Sequence, residues 1–182
     1  MLRKRQPKGR ATSEQAGDPA AALAAATTLL ARREFCSIEL GAKLSAQGFE
    51  PDAVRSALEE LIDRRYLDDE RYARQFVLIR AERGQGPLRI RRDLAELGLP
   101  AALIEAQLES HGEWAGLARQ VLTRRFGAKP PRSWPDKARR MRFLQYRGFS
   151  NDDIRSALGP DGTADFETDI ETDSETDLDT DS

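Results

Sequence analysis

Cysteine and histidine are nearly missing from this chain: its 182 residues hold one of each, Cys36 and His111. That scarcity excludes a disulfide scaffold, a zinc finger and any His-centred metal site. Long apolar runs are missing too. The longest, Ala20 to Ala31, is 12 residues of mostly Ala broken by Thr, too short and too weakly apolar to span a bilayer. Also absent is the strict two-residue alternation of a half-buried strand. Membrane proteins, secreted mini-proteins and most metalloenzymes therefore leave the field. What remains is a polar chain, 33% charged and 39% hydrophobic with a mean hydropathy of -0.63. It has enough Leu, Ile, Val and Phe for one domain or one elongated array.

A net charge of -2 conceals an asymmetry. Residues 159–182 carry 10 acidic residues and no Lys or Arg, which leaves 29 basic against 21 acidic residues, a net +8, for residues 1–158. A basic body with an acidic tail points to a polyanion, or to a protein that handles one, as partner. Residues 1–17 hold five basic residues against one acidic, include Pro and Gly and show no apolar period, so they read as a disordered basic arm. Their basic start would suit a secretory signal. The Ala-rich segment behind it is a poor apolar core, however, and its leucines fit a helix instead.

From Asp18 onward the sequence punctuates itself as helices. Asp18-Pro19 supplies a capping carboxylate and a first-turn proline. Ser37 is placed to cap a second helix that stops at Gly48. Pro51 opens a third, with Val54, Leu58, Leu61 and Ile62 at helical spacing. Tyr66-Leu67-Asp68-Asp69 breaks the chain before a fourth, which carries Tyr72, Phe76 and Ile79.

An offset of 50 residues then aligns three segments. Leu44, Leu94 and Leu144 match; so do Gly48, Gly98 and Gly148, and Phe49, Leu99 and Phe149. Val54, Ile104 and Ile154 match, as do Leu58, Leu108 and Leu158, and Arg-Ser-Ala-Leu recurs intact at 55–58 and 155–158. Each match has a physical role: the Gly closes one helix, the next residue packs back, and the Val/Ile and Leu four apart form the buried face of the following helix. Ser150 with Asp153 makes a capping-box pair where the other segments have Pro51 and Pro100. The expected fold is all-α, an elongated, curved array of three tandem three-helix repeats at 18–67, 68–110 and 111–158, followed by a disordered acidic tail at 159–182. Opening helices are expected near 19–34, 69–83 and 113–126. Helix-Gly-turn-helix pairs are expected at 38–47 with 51–65, 87–97 with 100–109, and 134–147 with 151–158. The last repeat is the basic one.

No catalytic constellation can be assembled. His111 sits in a polar break and reads as a solvent-facing loop residue. Cys36 lacks an activating neighbour and reads as a half-buried structural thiol. Gly84-Gln85-Gly86-Pro87 opens an Arg-rich helix and invites a phosphate, but it has no third Gly, no P-loop Lys-Ser/Thr and no preceding strand. It reads as a flexible turn. No cofactor or metal is expected.

Arginines are the better lead. Arg89, Arg91 and Arg92 start the fifth helix, Arg119, Arg124 and Arg125 lie on the seventh, and Arg139, Arg140, Arg142 and Arg147 crowd the eighth. The repeat offset relates the first group to Arg139, Arg140 and Arg142, so adjacent repeats are expected to share a basic stripe whose planar forks suit phosphates and carboxylates. Binding through it should weaken steeply with salt. The tail, with its Glu-Thr-Asp units, reads first as a solubilising extension and second as a polyanion mimic that competes with DNA.

Three stretches, Tyr66-Leu67-Asp68-Asp69-Glu70-Arg71-Tyr72-Ala73 with Phe76, Gly84-Gln85-Gly86-Pro87-Leu88-Arg89-Ile90, and Arg139-Arg140-Met141-Arg142-Phe143-Leu144-Gln145-Tyr146-Arg147-Gly148-Phe149, resemble the signature of the bacterial RecX proteins. The likeness covers about Ala20 to Leu158 in order and spacing. It implies a small cytoplasmic all-helical regulator built of three-helix repeats. Such a protein binds the filament that RecA recombinase forms on single-stranded DNA and damps its ATPase and strand exchange. A direct binder of single- or double-stranded DNA through helix-turn-helix-like pairs is the competing expectation. No membrane partner is expected, and nothing reads as a self-pairing heptad seam, so a monomer is expected.

Overall fold

Local capping chemistry sets some of the helix boundaries. The computed structural model describes residues 11–159, and among these residues there are nine α-helices and no strand. They are α1 (Pro19–Leu30), α2 (Ser37–Ala46), α3 (Pro51–Asp63), α4 (Asp69–Glu82), α5 (Pro87–Glu96), α6 (Ala101–His111), α7 (Trp114–Phe126), α8 (Trp134–Tyr146) and α9 (Asn151–Leu158). At α1, Asp18 accepts from the Ala20 N–H at 2.9 Å ahead of Pro19. At α9, the Ser150 hydroxyl accepts from the Asp153 N–H while the Asp153 carboxylate accepts from the Ser150 N–H, a complete capping box.

The 50-residue repeat is a repeat of one helix stop. Gly48, Gly98 and Gly148 have φ of 97°, 85° and 85°, the left-handed region that costs a residue with a Cβ ~1–2 kcal/mol. After each, the N–H of Phe49, Leu99 or Phe149 donates back to the carbonyl of Leu44, Leu94 or Leu144, at 3.2, 3.3 and 3.1 Å. The glycine N–H reaches the carbonyl three residues back in every case. This is the double hydrogen bond of a Schellman stop, and the residue after the glycine is buried beneath it. Leu44, Leu94 and Leu144 are fully buried, and Val54, Ile104 and Ile154 are buried too.

Packing groups the described chain into two units, one of residues up to Ile79 plus Arg91–His111, the other of Arg80–Ile90 plus the residues from Gly112. In the first unit α1 lies mainly on α3, and α2 touches both. Its core is Ala22, Ala26, Phe35, Leu40, Leu44, Phe49, Ala53, Val54, Ala57, Leu61 and Leu67. The Ala-rich face of α1 lets it approach α3 closely, since Ala22 and Ala26 are wholly buried there. In the second unit α7 packs on α9 and α8 touches both, around Ala118, Val121, Leu122, Leu144, Phe149 and Ile154.

Several expectations need correcting. Residues 11–17, assigned by composition to the disordered arm, form a turn tied down by backbone bonds from Ala11 N–H to the Gln47 carbonyl (2.8 Å) and from Glu50 N–H to the Ala16 carbonyl (2.7 Å). Residues 1–10 and the tail from 160 lie outside the described residues. Ser37 does not cap its own helix. It is the first residue of α2, behind Cys36, and its N–H and hydroxyl both donate to the carboxylate of Asp69, the N–H at 2.7 Å. Asp68 meanwhile accepts from the Arg71 N–H at 2.9 Å. The paired aspartates thus cap the starts of two helices, one near in sequence and one 32 residues away. Ile62 and Ile79 are exposed; α4 turns Ala73, Val77 and Ala81 inward instead. Cys36 is fully buried rather than half-buried, and its thiol is pushed up by burial, with the nearby Asp69 charge adding to the rise and a hydrogen bond from the Glu39 backbone opposing it. His111 is the last residue of α6 and not a loop residue.

Candidate functional site

The Gly84-Gln85-Gly86-Pro87 segment is neither a phosphate loop nor a flexible turn. Gly86 N–H donates to the Arg147 carbonyl at 2.8 Å and Leu88 N–H to the Gly148 carbonyl at 2.9 Å. These bonds consume N–H groups that an anion at the start of α5 would need. A Cβ on Gly86 would lie 2.4 Å from Gly148 O and from Phe149 N, so the two backbones touch directly and only glycine fits. The helix stop after α8 and the start of α5 are one welded joint within the second unit. Arg147 locks it further. Its Nη1 donates to the carbonyls of Arg83 (3.0 Å) and Gly84 (3.3 Å), and its guanidinium lies over the Phe143 ring at 4.9 Å.

Beside this joint is an open depression in the second unit. Arg83, Arg124, Arg125 and Arg147 rim it, and Val121 and Phe143 form its apolar floor. Arg124 and Arg125 project from the last turn of α7, and Arg83 follows α4. Arg83, Arg124 and Arg125 are exposed. Among the described residues, no carboxylate or hydroxyl bonds to any of their guanidinium groups, and no acidic residue lines the depression. Three exposed planar forks at the rim of one hollow, those of Arg83, Arg124 and Arg125, suit an oxyanion such as a carboxylate or a phosphate, while Arg147 Nη1 is already engaged by the Arg83 and Gly84 carbonyls.

The ten arginines singled out in the sequence therefore divide. Arg124, Arg125 and Arg147 come together here, joined by Arg83, which sequence reasoning missed. Arg139 and Arg142 are exposed on α8, Arg139 with its guanidinium 5.2 Å from the Phe126 ring. Of the other five, Arg140, Arg119, Arg91 and Arg92 are engaged by the protein itself, whereas Arg89 Nε is buried without a hydrogen-bond partner among the described residues. Arg140 is buried, bonded to Asp136 (3.0 Å) and the Lys129 carbonyl (2.8 Å), with its guanidinium over the Phe126 ring at 5.3 Å. Arg119 donates to the Ser156 carbonyl at 3.1 Å. Arg89 is partly buried, and its Cβ packs against Gly148. Arg91 forms a two-pronged pair with Glu105, at 2.6 and 2.7 Å, which raises the guanidinium and holds the Glu105 carboxyl below the usual carboxylate range. Arg92 lies 3.9 Å from Asp93 and 3.7 Å from Glu96. The stripe expected from the repeat offset is thus not a set of equivalent free cations.

Charge separates between the units. Residues 80–90 and 112–159 contain 14 basic and five acidic residues, whereas residues 11–79 and 91–111 contain 10 basic and 16 acidic. Among the described residues no group of His, Cys, Asp or Glu is placed to hold a metal ion, and no helix is long and apolar enough to cross a membrane.

The model of the second three-helix domain of RecX matches residues 68–108, and that of the third matches residues 115–158. The regulatory protein RecX of Halorhodospira halophila is 43% identical over 134 residues, which is 73% of this chain and 83% of that protein. That of Acidithiobacillus ferrooxidans is 41% identical over 143 residues, 79% of this chain and 92% of that protein. The chain belongs to the RecX family. Its fold is that of solved RecX proteins: the crystal structure of RecX from Lactobacillus salivarius superposes with a TM-score of 0.66 at 22% identity, over 75% of this chain and 92% of that one. A second RecX crystal structure gives 0.62 at 23% identity, over 82% and 79%. RecX relatives are named regulatory proteins, and this chain shares that regulatory character along with their tandem three-helix construction.

Proposed function

We propose that this chain docks on the filament that RecA recombinase forms on single-stranded DNA, and that it damps the filament's ATPase and strand exchange by occupying a surface. Action is cytoplasmic and needs no chemistry of the chain's own. Membership of the RecX family supports the partner. The observation that carries the mode of action is the charge of the second unit, where Arg124, Arg125, Arg139 and Arg142 lack any intramolecular carboxylate partner among the described residues. Such groups are available to acidic protein surface or to the bound strand, and their field steers association. Arg139, Arg142 and Tyr146 recur at helical spacing on the outside of α8, with Tyr146 82% exposed.

The test is RecA ATPase on single-stranded DNA with increasing amounts of the full chain. Suppression is expected at ratios well below one copy per recombinase. Arg139→Glu with Arg142→Glu should weaken it by at least about tenfold, as the loss of charge-assisted contacts of ~1.5–3 kcal/mol predicts. Inhibition that needs one copy per recombinase, or that ignores the double variant, overturns the reading.

The exposed Tyr146 beside Arg142 also favours direct contact with single-stranded nucleic acid, because bases stack on aromatic rings flanked by cations. A plain DNA competitor loses its effect when DNA is in excess, whereas a filament-docking protein keeps it.

A further inference from the structure

The depression rimmed by Arg83, Arg124, Arg125 and Arg147 lies close to Gly159, the last described residue. Arg119, on the same helix as Arg124 and Arg125, bonds the Ser156 carbonyl in the last turn of α9, three residues before Gly159. Five to six residues along α7 are about 8–9 Å at 1.5 Å per residue. The 23 residues from 160 to 182 can reach about 75 Å when extended, so the depression is well within their range.

The chemistry of that tail is matched to such a site. Every odd-numbered residue from Asp165 to Asp181 is acidic and no even-numbered one is. In an extended segment alternate side chains share a face, which would set nine carboxylates in a row about 7 Å apart. The second unit is the part of the described chain with excess positive charge; the first has excess negative charge.

We propose that the Arg83–Arg124–Arg125–Arg147 depression is an oxyanion site occupied in cis by carboxylates of the 160–182 tail, which thereby holds the basic unit closed to other polyanions. The tail is an internal competitor: a nucleic-acid or acidic-protein partner must displace it. That consequence rests on the docking function proposed above, but the contact itself does not.

The full chain with Ser174→Cys tests it. Cys36 is fully buried, so a nitroxide reagent attaches at the introduced thiol. At low salt the label should broaden the amide signals of Thr123–Phe126 and of Arg83–Gly84. The broadening should vanish near 1 M salt, where the screening length is about 3 Å. Arg124→Glu with Arg125→Glu should abolish it at low salt, as should replacing the nine alternating carboxylates by Asn and Gln. Broadening that is absent, that survives the arginine reversal, or that instead follows neutralisation of Arg3, Lys4, Arg5, Lys8 and Arg10 overturns the assignment. In a parallel arm, the tail-neutralised chain should bind an oligothymidylate at least about tenfold tighter than the native chain at low salt. Equal affinity removes the competitor role. A chain that shows the label contact yet leaves RecA ATPase untouched refutes the docking function and leaves the cis contact standing.

Discussion

Replacing Gly86 by Ala tests whether the α5–α8 joint is the close contact that the backbone geometry describes. The new Cβ would sit 2.4 Å from Gly148 O and from Phe149 N and 2.5 Å from Gly148 C, against an ordinary contact that begins near 3.4 Å. The two backbones must therefore part by about an ångström, since no flexible side chain is there to yield. That movement stretches both bonds that bridge the joint, Gly86 N–H to Arg147 O and Leu88 N–H to Gly148 O, beyond hydrogen-bonding range. Two such bonds at about 1 kcal/mol each, plus overpacking of about 1–3 kcal/mol, give an expected loss of about 3–5 kcal/mol. The dihedral contributes nothing to this, because Gly86 is not among the residues with positive φ. Gly127→Ala is the converse control: its φ is +82° but nothing lies within 4 Å of the added Cβ, so conformational strain of about 1–3 kcal/mol is the whole cost. Urea unfolding followed by tryptophan fluorescence reads the right part of the molecule, since both tryptophans, Trp114 and Trp134, belong to the second unit. A Gly86→Ala loss under about 1 kcal/mol, or smaller than that of Gly127→Ala, refutes the close contact.

Asp69→Asn should cost about 1–2 kcal/mol, as loss of a helix cap does, because the Ser37 N–H and hydroxyl lose a charged acceptor; thermal unfolding of an unchanged first unit would contradict the shared cap. Arg140→Met should destabilise the second unit, leaving Asp136 and the Lys129 carbonyl unpartnered, whereas Arg139→Glu with Arg142→Glu should shift urea midpoints by less than about 0.5 kcal/mol equivalent. The Cys36 thiol is pushed up by burial. Its contribution to stability is therefore complete below the thiol's ordinary value of about 8.5 and is lost as pH rises through the folded value. Stability from pH 8 upward should fall less steeply in Cys36→Ala than in the native chain; parallel curves would refute this. The Glu105 carboxyl is held low by Arg91, so its contribution is present above the ordinary carboxylate range and lost as pH falls through the folded value. The pair is well exposed, and Arg91→Met should remove no more than about 1 kcal/mol at neutral pH.

Which parts of the fold were legible in the sequence follows from how local their causes are. The glycine stops at Gly48, Gly98 and Gly148 are short-range: a left-handed residue followed by an apolar one that folds back on the leucine five residues earlier. A period of 50 exposes them without any tertiary knowledge. The Asp18 cap and the Ser150–Asp153 box are local in the same way. The cap on α2 was misread because its donor and acceptor are 32 residues apart, and Ser37 satisfies a local capping rule while serving a distant one. Similarly, Gly84 and Gly86 fit a loop pattern. Their actual role, backbone contact with a helix end more than 60 residues away, leaves no periodic trace.

The depression shows why counting arginines was not enough, and also where the missed signal lay. Arg33 and Arg83 occupy the same position one repeat apart. In the first unit Arg33 pairs through two bonds with Glu39 and stacks on Phe35 at 3.6 Å. The residue 50 beyond Glu39 is Arg89. Exchange of an acid for a base at that offset removes the partner that Arg83 would have had. The fold stays the same and a structural ion pair becomes an available cation. Repeats with one backbone plan can thus differ in function by single charge exchanges. Reading the offset for substitutions of opposite sign, rather than for matches, would have placed Arg83 at the site. Arg91, with Glu105 opposite, and Arg140, with Asp136 a turn away, are structural cations despite lying in the densest arginine runs. An arginine is free for a partner only where the fold withholds a carboxylate from it.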